Sequence, residues 1–322
     1  MELTIPSMSD IKRAHTRIAR HILQTPVLTS HSIDEMVGAS VYFKCENFQK
    51  VGAFKMRGAV NAIFSIVPEN RTKGFATHSS GNHAQAVALA SKMAGVKAYI
   101  VMPSNSAEVK KNAAIGYGAE VIFCEPTLKS REDTLKKVIA ETGATFIPPY
   151  DDPAIIAGQA TAAKELMEEV VDLNVVMAPV GGGGLLSGTA LACHYLSPKT
   201  AVIGAEPELA DDAYQSVKKG KLMPAKPPVT IADGLRTSLS PLTFEIIRNH
   251  VKEIVTVSET EIVDAMRIIW ERMKIIIEPS CAVPFAALLK RKEEFKGQKI
   301  GIILTGGNVD LEDLPFGKSF AK

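Results

Sequence analysis

The stretch "NVVMAPVGGGGLLSG", residues 174–188, decides the fold. Residues 175–179 ("VVMAP") form an apolar run with no polar alternation. A short run of this kind reads as a strand buried on both faces, as in a parallel sheet covered by helices. It passes directly into Gly181, Gly182, Gly183 and Gly184 and then into "LLSGTALACHYL", which reads as a helix. Four glycines let the backbone curl until several N–H groups aim at one anion, aided by the positive end of the helix. A plain flexible turn is the competing explanation. No Gly-Lys-Ser/Thr follows, so this is not a Walker A loop. A dinucleotide fingerprint needs G-x-G-x-x-G spacing and a ribose-binding acid about 20 residues on. Glu206 falls near that distance, so spacing alone leaves that alternative open.

Outward from this unit the same alternation recurs. "SVYFKCE", "GFATHSS", "KAYIVMP", "EVIFCE", "TFIPP", "TAVIGAEP" and "KIGIILTGGN" read as strands. "RGAVNAIFSIV", "NHAQAVALASKMAG" (with Gly95 as its C′ residue), "SAEVKKNAAIGYG", "SREDTLKKVIAETG", "GQATAAKELMEEV", residues 258–273 and residues 282–290 read as helices. The fold class is α/β, with mostly parallel strands and helices on both faces. "LMPAKPPVTIADG" breaks the pattern as a loop. Ligands of open α/β sheets sit at the carboxyl ends of strands. The polar turns after "FATH", "VVMAP" and "IGIIL" therefore point to one site.

Composition narrows the classes. The 322 residues are 46% hydrophobic, enough for about two domains, and 37 basic against 35 acidic residues leave a net charge of +2. With no long basic run and only Trp270 as tryptophan, nothing favours nucleic acid or an anionic membrane. No run approaches 18 apolar residues and the N-terminal stretch has no apolar signal core, so neither a membrane span nor export is expected. Cys45, Cys124, Cys193 and Cys281 are widely spaced, as expected of reduced thiols in a cytoplasmic protein.

Four further stretches carry chemistry. In "NFQKVGAFKMRGA", residues 47–59, Lys55 sits among small and apolar neighbours. Most lysines are solvated surface charges; a partly buried amine of lowered pKa could instead form a Schiff base. "HSSGNHAQ", residues 78–85, sets hydroxyls, an amide and imidazoles before a helix. Asn82 or Ser80 could cap that helix, and its early N–H groups could hold a carboxylate. In "EPELADD", residues 206–212, Glu206, Asp212 and a backbone carbonyl are hard oxygen ligands for Mg²⁺ or Ca²⁺, with an ordinary acidic loop as the alternative. "TGGN", residues 305–308, places the Thr305 hydroxyl at a strand end, where turn formation would explain the glycines equally well.

Together, "GAFKMRGA", "SSGNHAQA", "GGGGLLSG" and "TGGNVD" resemble the fold-type II pyridoxal-phosphate enzymes in order and spacing. "PPYDDPAIIAGQ" and "TIADG" are similar to the serine/threonine dehydratase and serine racemase branch, and the resemblance covers nearly the whole chain. It implies a two-domain, tryptophan synthase β-like fold. Residues 1–68 and 150–322 would form the large cofactor-binding domain and 69–149 the small one, with pyridoxal 5'-phosphate (PLP) in the cleft between them. Lys55 would hold the cofactor covalently and Phe54 would pack near its ring. Asn82 would meet the ring's phenolic oxygen, Gly181 to Gly184 with Leu185 would cradle the phosphate, and Thr305 would meet the pyridine nitrogen. Ser79, Ser80, Gly81, Asn82 and His83 would seat the substrate carboxylate.

Within the branch, Ser80 is the serine that racemases carry where related threonine dehydratases carry alanine. Racemisation needs an acid/base on each face of Cα, and Lys55 and Ser80 could serve one each. Glu206, the carbonyl of Ala210 and Asp212 resemble the racemase cation site, for Mg²⁺ or alternatively Ca²⁺ or Mn²⁺. ATP is an implied activator: Gln85 matches that region, whereas His31 departs from a serine there. Tyr150 replaces the asparagine of vertebrate-type racemases. The implied activity is serine racemisation with serine dehydration to pyruvate and ammonia, in a homodimer acting on a small hydroxy amino acid. The alternatives are a threo-3-hydroxyaspartate ammonia-lyase, whose second carboxylate Arg131 or Arg236 could meet, and a catabolic L-threonine/L-serine dehydratase. A non-enzymatic phosphate- or nucleotide-binding α/β protein, or an NAD enzyme, is the alternative from a different class.

Overall fold

The computed structural model describes residues 3–106, 108–224 and 227–317. Its strands are β1 (Val27–Leu28), β2 (Ser40–Cys45), β3 (Phe75–His78), β4 (Ala98–Pro103), β5 (Glu120–Cys124), β6 (Thr145–Phe146), β7 (Val175–Pro179), β8 (Ala201–Pro207), β9 (Glu253–Val257) and β10 (Lys299–Leu304). Its helices are α1 (Met8–Ile18), α2 (His31–Val37), α3 (Lys55–Ser65), α4 (Asn82–Met93), α5 (Glu108–Gly116), α6 (Leu128–Thr142), α7 (Pro153–Glu169), α8 (Gly184–Leu196), α9 (Asp212–Lys219), α10 (Pro241–His250), α11 (Glu259–Met273) and α12 (Pro279–Lys290).

The strands form two sheets. The larger has the order β1-β2-β10-β7-β8-β9, parallel except for β1, and the smaller has the order β5-β4-β3-β6, parallel throughout. All five residues of β7 are buried, because both faces of the larger sheet are covered. Ile302 packs in a core with α11 and α12, while its neighbour Ile303 packs on the other face with α7, α8 and α10. Leu304 pairs with Cys45 and Ile302 with Met177. The chain leaving β2 toward Lys55, the glycine loop after β7 and the Thr-Gly-Gly-Asn turn after β10 therefore emerge on one edge of the sheet.

Several elements are longer or shorter than the periodic pattern implies. The expected strand at "TFIPP" shrinks to the two-residue β6, and α7 starts at Pro153, capped by Asp152. Helix α1 has a signal of a different kind, a reciprocal capping box between Ser7 and Asp10 ahead of Ile11, Ala14 and Ile18. Gly95 lies just beyond α4 at φ 72°, in the left-handed conformation expected of a C′ residue.

Helix α3 joins the two layers. Its Met56, Ala59, Val60 and Ile63 share a core with Phe75, Ile100 and Met102 of the smaller sheet. On another side Gly58 meets α7 backbone to backbone: a Cβ on Gly158 would lie 2.7 Å from both Gly58 Cα and the Arg57 carbonyl oxygen. Neither backbone can retreat from that contact without moving a helix. Gly158→Ala should cost about 1–3 kcal/mol of stability by overpacking, read as a lower urea midpoint. An unchanged midpoint would show that the two helices have room to part.

Candidate active site

Lys55 is the first residue of α3, and the turn before it is stitched to the turn after β10. The Phe54 N–H donates to the Thr305 carbonyl at 3.0 Å, the Gly307 N–H donates to Gly52 at 3.0 Å, and Ala53 bridges to Gly306. Val51 and Gly52 are both left-handed, at φ 57° and 65°. That conformation is unfavourable for a β-branched residue and persists only where the surroundings over-determine it. Here Asn308 holds it, donating from Nδ2 to the Val51 carbonyl at 2.7 Å.

The same Nδ2 donates to Asn82 Oδ1 at 2.8 Å, and Asn82 Nδ2 donates to Glu278 Oε1 at 2.9 Å and Oε2 at 3.2 Å. A carboxylate only accepts, so Glu278 fixes the orientation of the Asn82 amide, which in turn fixes that of Asn308. This use of Asn82 decides against the capping role that the sequence left open. Neither Asn82 nor Ser80 caps α4; Gly81 occupies that position with no side-chain bond, and the Asn82 amide is turned toward Glu278. Glu278 and the amide role of Asn308 were not legible as site features. The available signal was an acid set in the apolar run "IIIEPSCAVPF".

Electrostatics follow from burial. Lys55 Nζ donates to the Pro149 carbonyl at 2.7 Å. Desolvation lowers its pKa to about 8, opposed by the negative charge of Glu278. His83 is 2% exposed and directs Nε2 at the Ile147 carbonyl at 3.1 Å. A carbonyl only accepts, so Nε2 carries the proton and Nδ1 is left a lone-pair acceptor, without a partner among the described residues. Burial, then the charge of Lys55, brings His83 down to about 3, so it is neutral. A substrate carboxylate at this turn would be met by N–H and O–H donors rather than by an imidazolium. The Ser79 hydroxyl accepts from the Gly81 N–H at 3.3 Å, and Ser80 is half-buried in the same turn.

The glycine loop suits a phosphate. Gly181, Gly182, Gly183, Gly184 and Leu185 are all buried. Gly183, at φ 86°, sits at the start of α8 with no side-chain cap, so the first N–H groups of the helix are not taken by a side chain. A Cβ on Gly182 would collide with the Tyr150 ring, and one on Gly184 would lie 2.9 Å from Tyr150 Cβ. Tyr150 therefore lies against the loop. Thr305, 2% exposed, neighbours the buried thiol of Cys281, whose pKa burial raises. A half-buried amine of low pKa, an uncapped glycine cradle and an uncharged hydroxyl at the strand end fit PLP.

Glu206 accepts from the N–H groups of Ala213 (3.1 Å) and Tyr214 (2.8 Å), closing the first turn of α9. Burial, with Asp212 nearby, raises its pKa well above the usual range, and burial raises Asp212 to about 6. Asp212 Oδ2 is buried without a hydrogen-bond partner among the described residues. Ala210 is 7% exposed in the intervening turn. Two buried acids penalised by desolvation, one with an orphaned oxygen, suit a divalent cation. No cluster of three His, Cys, Asp or Glu side chains able to hold a metal occurs among the described residues.

The two arginines separate. Arg236 spends its guanidinium on the Thr230 carbonyl, through Nε at 3.0 Å and through Nη2. Arg131 is half-buried, its Nε lacks a partner among the described residues, and burial, then the Arg131 charge, lowers the pKa of His78, the residue preceding Ser79. His31 pairs with Glu35 at 3.3 Å on the exposed side of α2, and Gln85 is buried in the first turn of α4.

Comparison with known proteins agrees with this chemistry. The family described as "Pyridoxal-phosphate dependent enzyme" matches residues 18–306. The β-hydroxyaspartate dehydratase of Paracoccus denitrificans (strain Pd 1222) is 51% identical over 312 residues, covering 97% of this chain and 99% of the relative. The serine racemase of Dictyostelium discoideum is 51% identical over 314 residues, covering 96% of each. Its family is also represented by a crystal structure of serine racemase from Dictyostelium discoideum, which superposes with a TM-score of 0.91 at 50% identity, covering 95% of this chain and 99% of that one.

In cofactor-free protein, acylation of Lys55 should rise with pH about a midpoint near 8, against 10.5 for an ordinary lysine. Between those values the unfolded chain binds the extra proton, so this group's contribution to stability grows as pH rises through the window. Glu278→Gln removes a charge that favours the ammonium and should lower the midpoint. An unmoved midpoint would separate Glu278 electrically from the lysine.

Proposed function

The chain belongs to the pyridoxal-phosphate dependent enzymes, and on that footing we propose that it is a serine racemase that also dehydrates serine to pyruvate and ammonia. The observation that carries this reading is the Lys55 amine, at about 8, set beside a turn bearing Ser79, Ser80 and a neutral His83. Residues 1–68 and 150–322 form the cofactor-binding domain in this reading, 69–149 the smaller one, and the enzyme is a cytoplasmic homodimer.

PLP, held by Lys55, Asn82, Gly181 to Gly184, Leu185 and Thr305 with Phe54 beside its ring, supplies an electron sink for the pair left on Cα when its proton departs. Thr305 is uncharged and does not enforce a proton on the ring nitrogen, which keeps that sink modest. The substrate carboxylate rests on the donors of residues 79–83. The Lys55 amine, once displaced from the cofactor by the substrate's own amine, takes the Cα proton. Ser80 then returns a proton to the opposite face, giving the mirror-image amino acid. Alternatively the β-hydroxyl leaves with a proton as water, and the released enamine tautomerises and is hydrolysed by one water to a keto acid and ammonia.

A second reading, a threo-3-hydroxyaspartate ammonia-lyase, is favoured by Arg131, whose buried Nε lacks a partner among the described residues and whose charge reaches His78. A guanidinium there suits a second carboxylate.

Borohydride should bleach a visible band of the purified enzyme and fix the cofactor to Lys55; a colourless protein after PLP addition would sink the proposal. Ser80→Ala should abolish D-serine formation and leave keto acid formation largely intact, whereas surviving racemisation would remove Ser80 as the second base. Assays of serine, threonine and hydroxyaspartate with Arg131→Gln separate the readings. A loss of at least 10-fold in kcat/KM confined to hydroxyaspartate supports the ammonia-lyase, and equal effects on all three support the racemase.

The cation site is read as Mg²⁺, or alternatively Ca²⁺ or Mn²⁺, held by Glu206, Asp212 and the Ala210 carbonyl. A chelator should then lower the melting temperature and Mg²⁺ should restore it, while no response would leave Glu206 as a helix cap only. The resemblance extends to ATP as an activator, which the same assays with and without ATP decide.

A further inference from the structure

We propose that Arg57 is a positioning residue for Lys55, fixing the rotation of α3 about its axis from the side opposite the lysine. The inference rests on Lys55 being the cofactor-bearing lysine. Residues two apart on an α-helix are rotated by about 200° and so point to nearly opposite sides, about 160° apart. Lys55 therefore reaches toward Pro149 while Arg57 enters the core behind it.

All five guanidinium N–H donors are used. Nε donates to Glu46 Oε2 at 2.7 Å, and Nη2 donates to Glu46 Oε1 at 2.8 Å and Glu165 Oε2 at 2.7 Å. Nη1 donates to Glu165 Oε1 at 2.7 Å and Thr161 Oγ1 at 3.1 Å. Arg57 is wholly buried, as are Glu46 and Lys44, and Glu165 is 4% exposed. Lys44 Nζ completes the group, 2.7 Å from Glu165 Oε2 and donating to the Thr25 carbonyl at 2.6 Å, and Thr25 Oγ1 donates to Glu46 Oε1 at 2.5 Å. Two cations and two carboxylates balance.

The partners stand on rigid parts: Lys44 within β2, Glu46 directly after it, Thr161 and Glu165 on α7. Helix α3 has no side-chain cap at its start and no acid in its first turn, and among its first residues' side chains Arg57 makes the largest set of hydrogen bonds, five to groups on two other elements. A turn of about 10° would carry an amine ~6 Å from the axis through about 1 Å, a displacement that can cost about 100-fold in rate. Lysine cannot substitute, because its point charge lacks the planar fork.

The test compares Arg57→Lys and Thr161→Val with the unchanged enzyme. Activity is expressed per mole of cofactor that borohydride fixes to Lys55, so that unfolded protein is not counted. Arg57→Lys should lower kcat about 10–100-fold with KM nearly unchanged, and should shift the pH midpoint for acylation of Lys55 in the cofactor-free protein. Thr161→Val, which removes one acceptor of five, should move both in the same direction by less. Normal kcat and an unmoved midpoint in either variant overturn the clamp; if Arg57→Lys does not fold, Thr161→Val decides. Fixation of the cofactor to another lysine in the unchanged enzyme would overturn the reading of Lys55 itself and the clamp with it.

Discussion

A guanidinium sealed from water at the join of β2, α3 and α7 is the constraint on which the remaining geometry depends. Arg57 is buried with Lys44, Glu46 and Glu165 around it. Removing water from four charges is expensive, and their mutual attraction compensates only with near-ideal hydrogen bonds. Burial works against the Glu165 carboxylate, yet its bonds to His15 and Arg57 and the charges of Arg57 and Lys44 hold its pKa far below the usual range. Such a group adds little stability over a well-packed apolar core, but removing one partner leaves a buried charge uncompensated. The close contact of Gly58 with Gly158 works alongside it, setting the distance between the helices while the ion group sets their rotation.

On the other side of α3 the requirement is reversed, since the chemistry needs groups that are desolvated and incompletely matched. Lys55 loses more to desolvation than it gains from Glu278, and His83 is held neutral by burial and by that same lysine. Glu206 and Asp212 are raised by burial for the same physical reason. Within one protein, charges in a complete hydrogen-bonded set keep their charged forms, and charges left without a full partner are pushed toward neutrality. The second condition makes an amine able to take a proton near neutral pH.

Two turns from different sheets meet through side-chain amides. Asn308, after β10 of the larger sheet, touches Asn82, which opens α4 beside the smaller one, and Glu278 orients both. Asn308 also holds Val51 in a conformation that a β-branched residue resists. Two amides and a carboxylate thus join the lysine turn to the turn of residues 79–83. That arrangement explains why Asn82 is not a helix cap, although asparagine at such a boundary ordinarily is.

The α/β class was legible because burial of a parallel sheet on both faces forces continuous apolar strands, as in "VVMAP" and "IGIIL". The glycine cradle was legible because only glycine permits both φ 86° at Gly183 and the approach of Tyr150 to Gly182. Lys55, Ser80, Asn82 and Thr305 stood out as reactive or polar types at strand ends and helix starts, where open sheets place ligands. What the sequence could not determine is which partner each polar group takes, since that depends on residues far apart in the chain. Asn82 and Glu278 are 196 positions apart, and Arg57 and Glu165 are 108. Local spacing cannot distinguish a cap from a network member, Arg131 from Arg236, or a surface arginine from a buried one. Those distinctions arise only when packing removes water and each donor must find an acceptor within reach.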